Sequence, residues 1–328
     1  MAYKKSVYEK AGQRLEARRK KAEDDLQMRR SAALLKCPEL AGVEREMADC
    51  ALKAVKAIGL GDDAEKQVIE ISKKSLEAQQ RRKELLKSAG FPEDYLEAKY
   101  TCPICHDTGS HDGYYCECYK RLVRQTAVDE LGIGSQIKKC TFDSFRLDCY
   151  PNTVDPVLGI SQKEQMKTVY EYCYEWAKDF SKNSTGLIML GKTGLGKTHL
   201  SLAILGVVIN KGYSVYYDSV QNIMDKLQKE HFSRNAQGEQ ESVTQELFES
   251  DLLILDDLGA EFSTQFTVSQ LYNILNTRMI NSLPVIISTN LTVREIEEKY
   301  SQRIASRVVG SCVPLQFCGK DIRQILNG

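Results

Sequence analysis

The chain has 328 residues and is 42% apolar, enough for about two domains with sizeable cores. Its formal net charge of zero excludes a global field drawing it to nucleic acid or membrane, no apolar run approaches the ~20 residues of a bilayer span, and MAYKKSVYEKAGQRLEARRK lacks a signal-peptide core. Eleven cysteines occurring beside a nucleotide motif point to a reducing cytoplasm and a metal site rather than to a disulfide framework.

Residues 3–36 are dense in charge, with sparse apolar positions at helical spacing: Val7, Ala11, Leu15, Ala22 and Leu26. Residues 1–30 carry ten Lys/Arg against five Asp/Glu. A solvated helix is favoured over a basic arm for a partner or DNA, because mixed charge runs decorate helix faces. From Ala41 to Ile58, apolar residues every three or four positions predict an amphipathic helix that Gly59 and Gly61 end. Asp62 or Asp63 then caps a helix reaching Ala89, which Gly90-Phe91-Pro92 stops.

The next stretch, YTCPICHDTGSHDGYYCECYKRL, holds two close thiol pairs, Cys102-x-x-Cys105 and Cys116-x-Cys118. Brought together by a turn at Gly109 and Gly113, they can make a tetrahedral Cys₄ zinc site. A redox Cys-x-x-Cys and chance clustering are the alternatives, but a redox dithiol needs no second pair. His106 and His111 stand in reserve as ligands replacing a cysteine. Cys37, Cys50, Cys140, Cys149, Cys173, Cys312 and Cys318 are scattered and read as buried or inert.

A helix from Tyr119 to Leu131 leaves this knot, and Thr141-Phe142-Asp143-Ser144-Phe145 opens a nucleotide domain. A helix over 161–182 is rich in aromatics (Tyr170, Tyr172, Tyr174, Trp176, Phe180), read as core packing rather than a base-stacking platform. The apolar run Leu187–Leu190 then leads into GKTGLGKT, which fits the phosphate-loop pattern with Gly191, Gly196, Lys197 and Thr198 in register. Glycines let backbone N–H groups curl toward phosphate oxygens, and a following helix adds its positive end. Lys197 is expected on the β- and γ-phosphates and Thr198 on Mg²⁺; the whole run Gly191, Lys192, Thr193, Gly194, Leu195, Gly196, Lys197, Thr198 and His199 is the candidate ATP site.

A second strand is predicted at Ser214–Tyr217, with Ser219 capping the next helix and a polar loop over 233–242. Leu252-Leu253-Ile254-Leu255-Asp256-Asp257 describes a buried parallel strand whose carboxylates emerge at its ligand-binding end. Asp256 is placed to hold Mg²⁺ through water and Asp257 to orient or deprotonate the attacking water, with Glu261 as a second candidate base. A helix over Gln265–Ser282 precedes the strand Val285–Thr289, whose Asn290 can report on the γ-phosphate or the water. Thr292 caps a short helix. Arg303 and Arg307 lie four apart on one helix face, and a strand, Val313–Phe317, precedes Lys320-Asp321-Ile322-Arg323.

Phosphate loop, DDLGAE, ISTN and R-x-x-x-R, in that order, resemble the AAA+ ATPases, and within them the DnaC/DnaI helicase loaders and related IstB transposition ATPases. LLILDDLGAE, IISTNL and QRIASRVVG are the more specific stretches, and the cysteine knot also resembles the zinc-binding part of DnaI-type loaders. The resemblance implies an α/β fold: an AAA+ P-loop ATPase domain with a parallel sheet over 141–328, preceded by a helical region over 1–98 and a small zinc-binding knot with linker helix over 99–140. It makes Asn290 the sensor asparagine, Arg307 the arginine finger for a neighbouring subunit with Arg303 as second choice, and Arg323 a further phosphate contact. ATP, Mg²⁺ and Zn²⁺ are the implied cofactors. A replicative helicase, single-stranded DNA and further copies of the chain when ATP-bound are the implied partners, with no membrane. The implied function is an ATP-dependent replication accessory; the alternatives are an IstB-like transposition helper and a zinc adaptor in which ATP is only structural.

Overall fold

A computed structural model describes residues 3–57, 64–154, 159–233 and 243–327. The expected stops at Gly59 and Gly61, the cap at Asp62 or Asp63, and the loop over 234–242 lie outside these residues. The chain divides into two compact units, one of residues 9–122 and one of residues 1–8 with 123–328. Among the described residues no helix is long and apolar enough to cross a membrane.

The smaller unit contains α1 (Lys5–Lys36), α2 (Leu40–Ala57), α3 (Ala64–Ser88) and a two-residue hairpin of β1 (Ser110–His111) with β2 (Tyr114–Tyr115). The thin stripe on α1 behaves as its spacing predicts: Ala11, Leu15 and Ala22 are buried while the charges stay in solvent. Leu15 lies against Gly109, where an added Cβ would come within 2.7 Å of it. Further along, Ala33, Leu40 and Leu86 form a small core that Phe91 and Tyr95 cover. Arg29 pins the segment after α3 by donating to the carbonyls of Tyr95 (2.5 Å) and Glu97 (3.1 Å).

The larger unit opens in α4 (Glu117–Glu130) and α5 (Gly134–Lys139) and continues through α6 (Gln162–Lys178). Five strands follow: β3 (Gly186–Leu190), β4 (Val215–Ser219), β5 (Leu252–Leu258), β6 (Val285–Thr289) and β7 (Cys312–Gln316). Between them run α7 (Lys197–Asn210), α8 (Val220–Ser233), α9 (Val243–Glu249), α10 (Gln265–Ile280), α11 (Val293–Lys299) and α12 (Gln302–Ser311), and α13 (Ile322–Asn327) closes the chain. All strands pair in parallel, in the order β4-β5-β6-β3-β7. Alternate strand residues feed two cores. Leu187, Met189, Leu252 and Ile254 pack with α6 and α7 on one face. Ile188, Leu253, Leu255 and Ile287 pack with α8–α12 on the other. Near-continuous apolar runs are what a parallel sheet covered on both faces requires. Pro314 sits on the edge strand β7, where a missing N–H is tolerated.

Local signals set the helix ends. Ser161 and Thr264 accept backbone N–H groups at the starts of α6 and α10, and Thr292 with Glu295 forms a full capping box on α11. Helix α6 ends at Lys178 rather than near 182 because Phe180 turns into the core. Of its aromatics, Phe180 is buried and Tyr170 and Trp176 pack partly against the core, whereas Tyr172 and Tyr174 face solvent.

Among the described residues, a charged side chain lies wholly inside this unit. Arg278 of α10 has no exposed surface and donates to the carbonyls of Leu247, Ser250 and Pro284 and to Ser250 Oγ, at 2.8–3.2 Å. Burial lowers its pKa to about 10, against the pull of Asp251. Arg278→Leu strands four acceptors together and is expected to cost about 3 kcal/mol or more. Urea unfolding followed by the fluorescence of Trp176, the sole tryptophan, checks this; Arg294→Leu, on a surface residue of α11, should leave the midpoint in place.

Candidate functional site

The chain leaves β3, crosses to the far edge at β4, works back through β5 and β6, and ends on the other side of β3 at β7. The carboxyl end of β3 is therefore a topological switch point, where open α/β sheets bind ligands. The phosphate loop emerges there. Gly191 has φ 150°, and a Cβ on it would stand 2.7 Å from the Phe317 carbonyl. Gly194 and Gly196 adopt φ 79° and 88°, in the left-handed region that favours glycine. Leu195 is buried beneath the loop, and its carbonyl accepts from the Tyr150 hydroxyl at 2.9 Å. Lys192 and Thr193 are exposed at the mouth.

Lys197 is only 6% exposed, and its Nζ donates to the Gly191 carbonyl (2.5 Å), the Lys192 carbonyl (2.8 Å) and Asn290 Oδ1 (2.7 Å). Burial lowers its pKa, while Asp257 and then Asp256 oppose that shift. Arg323, exposed on α13, is close enough to act on Lys197 as a second positive charge, and its guanidinium is paired with Asp321. The sequence-predicted residues Lys197, Asn290, Asp256, Asp257 and Arg323 are thus brought to one place.

Thr198 Oγ donates to both oxygens of Asp256 at 3.1–3.2 Å. Asp256 is buried and also accepts from Tyr217 Oη (2.8 Å) and Ser288 Oγ (2.5 Å). Ser288 Oγ in turn accepts from the Asp257 N–H at 2.9 Å. The β5–β6 register shifts between Leu255 and Leu258, and Asp257 takes φ 58°. A bulge re-aims side chains in this way, and aspartate tolerates the left-handed backbone. Asp256 therefore stays buried on the Thr198 side while Asp257 is exposed. This donor set fits Mg²⁺: a threonine hydroxyl and a carboxylate in contact, both oxygen ligands. Tyr217 and Ser288 were not singled out from sequence; both are ordinary strand residues until the fold brings them to Asp256.

Glu261 does not join this group. Its carboxylate is buried, with one oxygen accepting from Tyr300 Oη and the other from the Gly259 N–H. His199 also turns aside from the loop: its Nε2 bonds the Thr141 carbonyl at 2.9 Å and its ring meets Phe145 edge-on. Arg303 is exposed at the start of α12. Arg307 is half-buried and held against α10, donating to Tyr272 Oη (2.7 Å) and Asn276 Oδ1 (3.0 Å) with its guanidinium carbon 4.3 Å from the Tyr272 ring centre.

In the smaller unit, the ligand atoms of Cys102, Cys105, Cys116 and Cys118 all lie within 4.8 Å of one another. The Cys102–Cys116 and Cys105–Cys118 sulfurs are 3.8 and 3.3 Å apart, far longer than a disulfide. A tetrahedron with metal–sulfur bonds of about 2.3 Å needs sulfurs about 3.8 Å apart, so these four thiols fit one ion. Burial raises the Cys105 pKa, but the Cys118 thiol and the Gly109 amide outweigh it and bring it to about 7. His106 lies against Tyr100, and His111 pairs with Asp112; neither is in the cluster.

A family profile described as IstB-like ATP binding protein matches residues 173–318. The chain is 28% identical to the uncharacterized protein YqaM of Bacillus subtilis over 208 residues, which are 60% of each chain. It is 24% identical to the replicative helicase loader DnaC of Escherichia coli over 189 residues, 58% of this chain and 71% of that one. A crystal structure of the DnaC helicase loader superposes with a TM-score of 0.45 at 19% identity, covering 56% of this chain and 99% of the other. Residues 173–318 thus resemble an IstB-like ATP-binding domain, and the chain is similar over part of its length to a replicative helicase loader.

Proposed function

We propose that the chain is an ATP-switched accessory of DNA replication, a helicase-loader-like AAA+ ATPase. The observation that carries this reading is the convergence of Lys197, Asn290, Thr198, Asp256 and Asp257 at the end of β3, joined to relatives that include replicative helicase loaders. On this reading residues 141–328 bind and hydrolyse ATP, and the helical region over 1–98 together with the zinc knot and linker helix over 99–140 grips a replicative helicase. Single-stranded DNA is the second macromolecular partner, and ATP-bound copies assemble with one another. Bound ATP would take the Lys197 ammonium from its backbone acceptors, and Thr198 with Asp256 would hold Mg²⁺, which neutralises phosphate charge. Asp257, exposed beside Lys197, orients or deprotonates the attacking water. Arg307 serves a neighbour's ATP, stabilising charge that develops only in the transition state.

The IstB-like match keeps the transposition helper as a second reading with the same ATP chemistry. The cysteine knot lies outside the matched residues and fits the loader better.

Lys197→Ala is expected to abolish ATP binding. Asp257→Asn is expected to keep it and to slow phosphate release. Arg307→Ala should leave the affinity of the monomer unchanged yet lower turnover of the assembly by up to ~10³-fold. Adding Lys197→Ala protein, which keeps Arg307, should restore turnover. Absence of rescue in confirmed mixed assemblies rejects Arg307 as a finger acting in trans, and normal turnover by Asp257→Asn rejects the assigned water-activating residue.

The thiol cluster is assigned to one structural zinc ion held by Cys102, Cys105, Cys116 and Cys118. Elemental analysis of purified protein should find about one zinc per chain, lost in the double variant Cys102→Ser, Cys105→Ser. Full metal content in that variant would sink the assignment.

A further inference from the structure

Directly after Asp257 the chain enters a tight knot. Gly259 has φ 108° and lies so close to Leu291 that a Cβ would approach it to 2.7 Å. Glu261 follows, 4% exposed, with one carboxylate oxygen accepting from the Gly259 N–H at 2.9 Å and the other from Tyr300 Oη. Tyr300 is the C-terminal cap of α11 and is itself buried. Burial, and then the Glu261 carboxylate, push its phenol far above its ordinary pKa and keep it a donor. Lys299 closes the ring by donating to the carbonyls of Gly259 (2.5 Å) and Glu261 (3.3 Å), and Ser263 Oγ donates back to the Lys299 carbonyl at 3.1 Å.

Two helices start from this knot. Helix α10 begins at its Thr264 cap, just past Ser263, and α12 begins at its Ser301 cap, just past Tyr300. Arg307 rides on α12 and rests on Tyr272 and Asn276 of α10. The Asp257 side has separate anchors: its N–H donates to Ser288 Oγ, and the Leu258 carbonyl accepts from Thr289 Oγ at 2.6 Å. The anchors of the Asp257 side are thus distinct from those of the knot.

We propose that Glu261 and Tyr300 are positioning residues for the guanidinium of Arg307, setting the starts of α10 and α12 together so that the finger is presented to the neighbouring subunit. The assignment rests on Arg307 acting in trans. It differs from a general packing role in one respect: loss of the pair damages a subunit as a donor of the finger and spares it as an acceptor.

The experiment uses full-length protein and mixed assemblies confirmed by cross-linking. Arg307→Ala supplies an intact nucleotide site without a finger. It is mixed with a donor carrying Lys197→Ala, or with one carrying Lys197→Ala and Tyr300→Phe, and phosphate release is measured. The first donor should restore turnover. The second should fall short by on the order of 100-fold, the scale of loss expected when a catalytic group is displaced by about 1 Å. In the reverse arm, Tyr300→Phe alone should bind ATP with unchanged affinity and should respond to the Lys197→Ala donor as fully as the Arg307→Ala protein does. Equal rescue by both donors overturns the proposal, as does a Tyr300→Phe protein that fails equally as donor and acceptor. If even the Lys197→Ala donor fails, the finger reading itself is refuted and the assignment falls with it. Should Tyr300→Phe not fold, Glu261→Gln replaces it in both arms with the same expected asymmetry; it keeps the side-chain volume and one acceptor oxygen.

Discussion

A nearly buried ammonium organises the mouth of the larger unit. Lys197 loses most of its hydration, and a buried cation without partners is among the most costly groups a protein can hold. Two carbonyls of its own loop and Asn290 solvate it instead, and the nearby carboxylates counter the effect of burial. The loop can bend far enough to do this because Gly191 carries no side chain to strike Phe317. Both neighbours of β3 in the sheet are then needed: β6 delivers Asn290 on one side, and the end of β7 supplies the Phe317 wall on the other. An incoming polyphosphate meets a charge already held in place by oxygens weaker than itself.

The acids divide the remaining work through backbone geometry. Asp256 is saturated by three hydroxyls, from Thr198, Tyr217 and Ser288, which fix its carboxylate in place. Asp257 is its neighbour in sequence yet is exposed, because the bulge and the left-handed backbone rotate it away from the strand's inner face. Ser288 touches both residues, through the Asp256 carboxylate and the Asp257 N–H, so one hydroxyl sets their separation.

Much of this was legible in the sequence where the signal is local. The run at 252–255 reads as a buried parallel strand, and Thr292 reads as a helix cap because the backbone it serves lies within one turn. The paired thiols were legible for the same reason, their turn being short. Non-local features were not. Strand order is set by packing of whole layers, so Tyr217 and Ser288 gave no hint that they would share Asp256. Glu261 shows the same limit. Four residues past Asp257 it resembles a spare base, yet its carboxylate is claimed by Tyr300, 39 positions away. His199 likewise has distant partners, Thr141 and Phe145, which hold its ring.

The smaller unit faces a different constraint. Its helices are strongly charged, and among the described residues the buried cluster at their junction is Ala33, Leu40 and Leu86, with partial cover from Leu34, Cys37, Leu85, Phe91, Tyr95 and Leu96. The segment over 100–118 adds only a two-residue hairpin, far below what stands alone in water. Small modules of this kind need covalent or metal staples to fix their loops. Four thiols inside a 4.8 Å sphere, with His106, Asp107 and Asp112 all in left-handed conformations around them, make a loop that side-chain packing alone does not explain. Asp107 bears on the same point: buried, it accepts from the backbone N–H groups of Thr101 and Cys102 and so fixes the first thiol of the set. Under the zinc assignment, metal binding would supply the ordering energy that this segment cannot draw from a core.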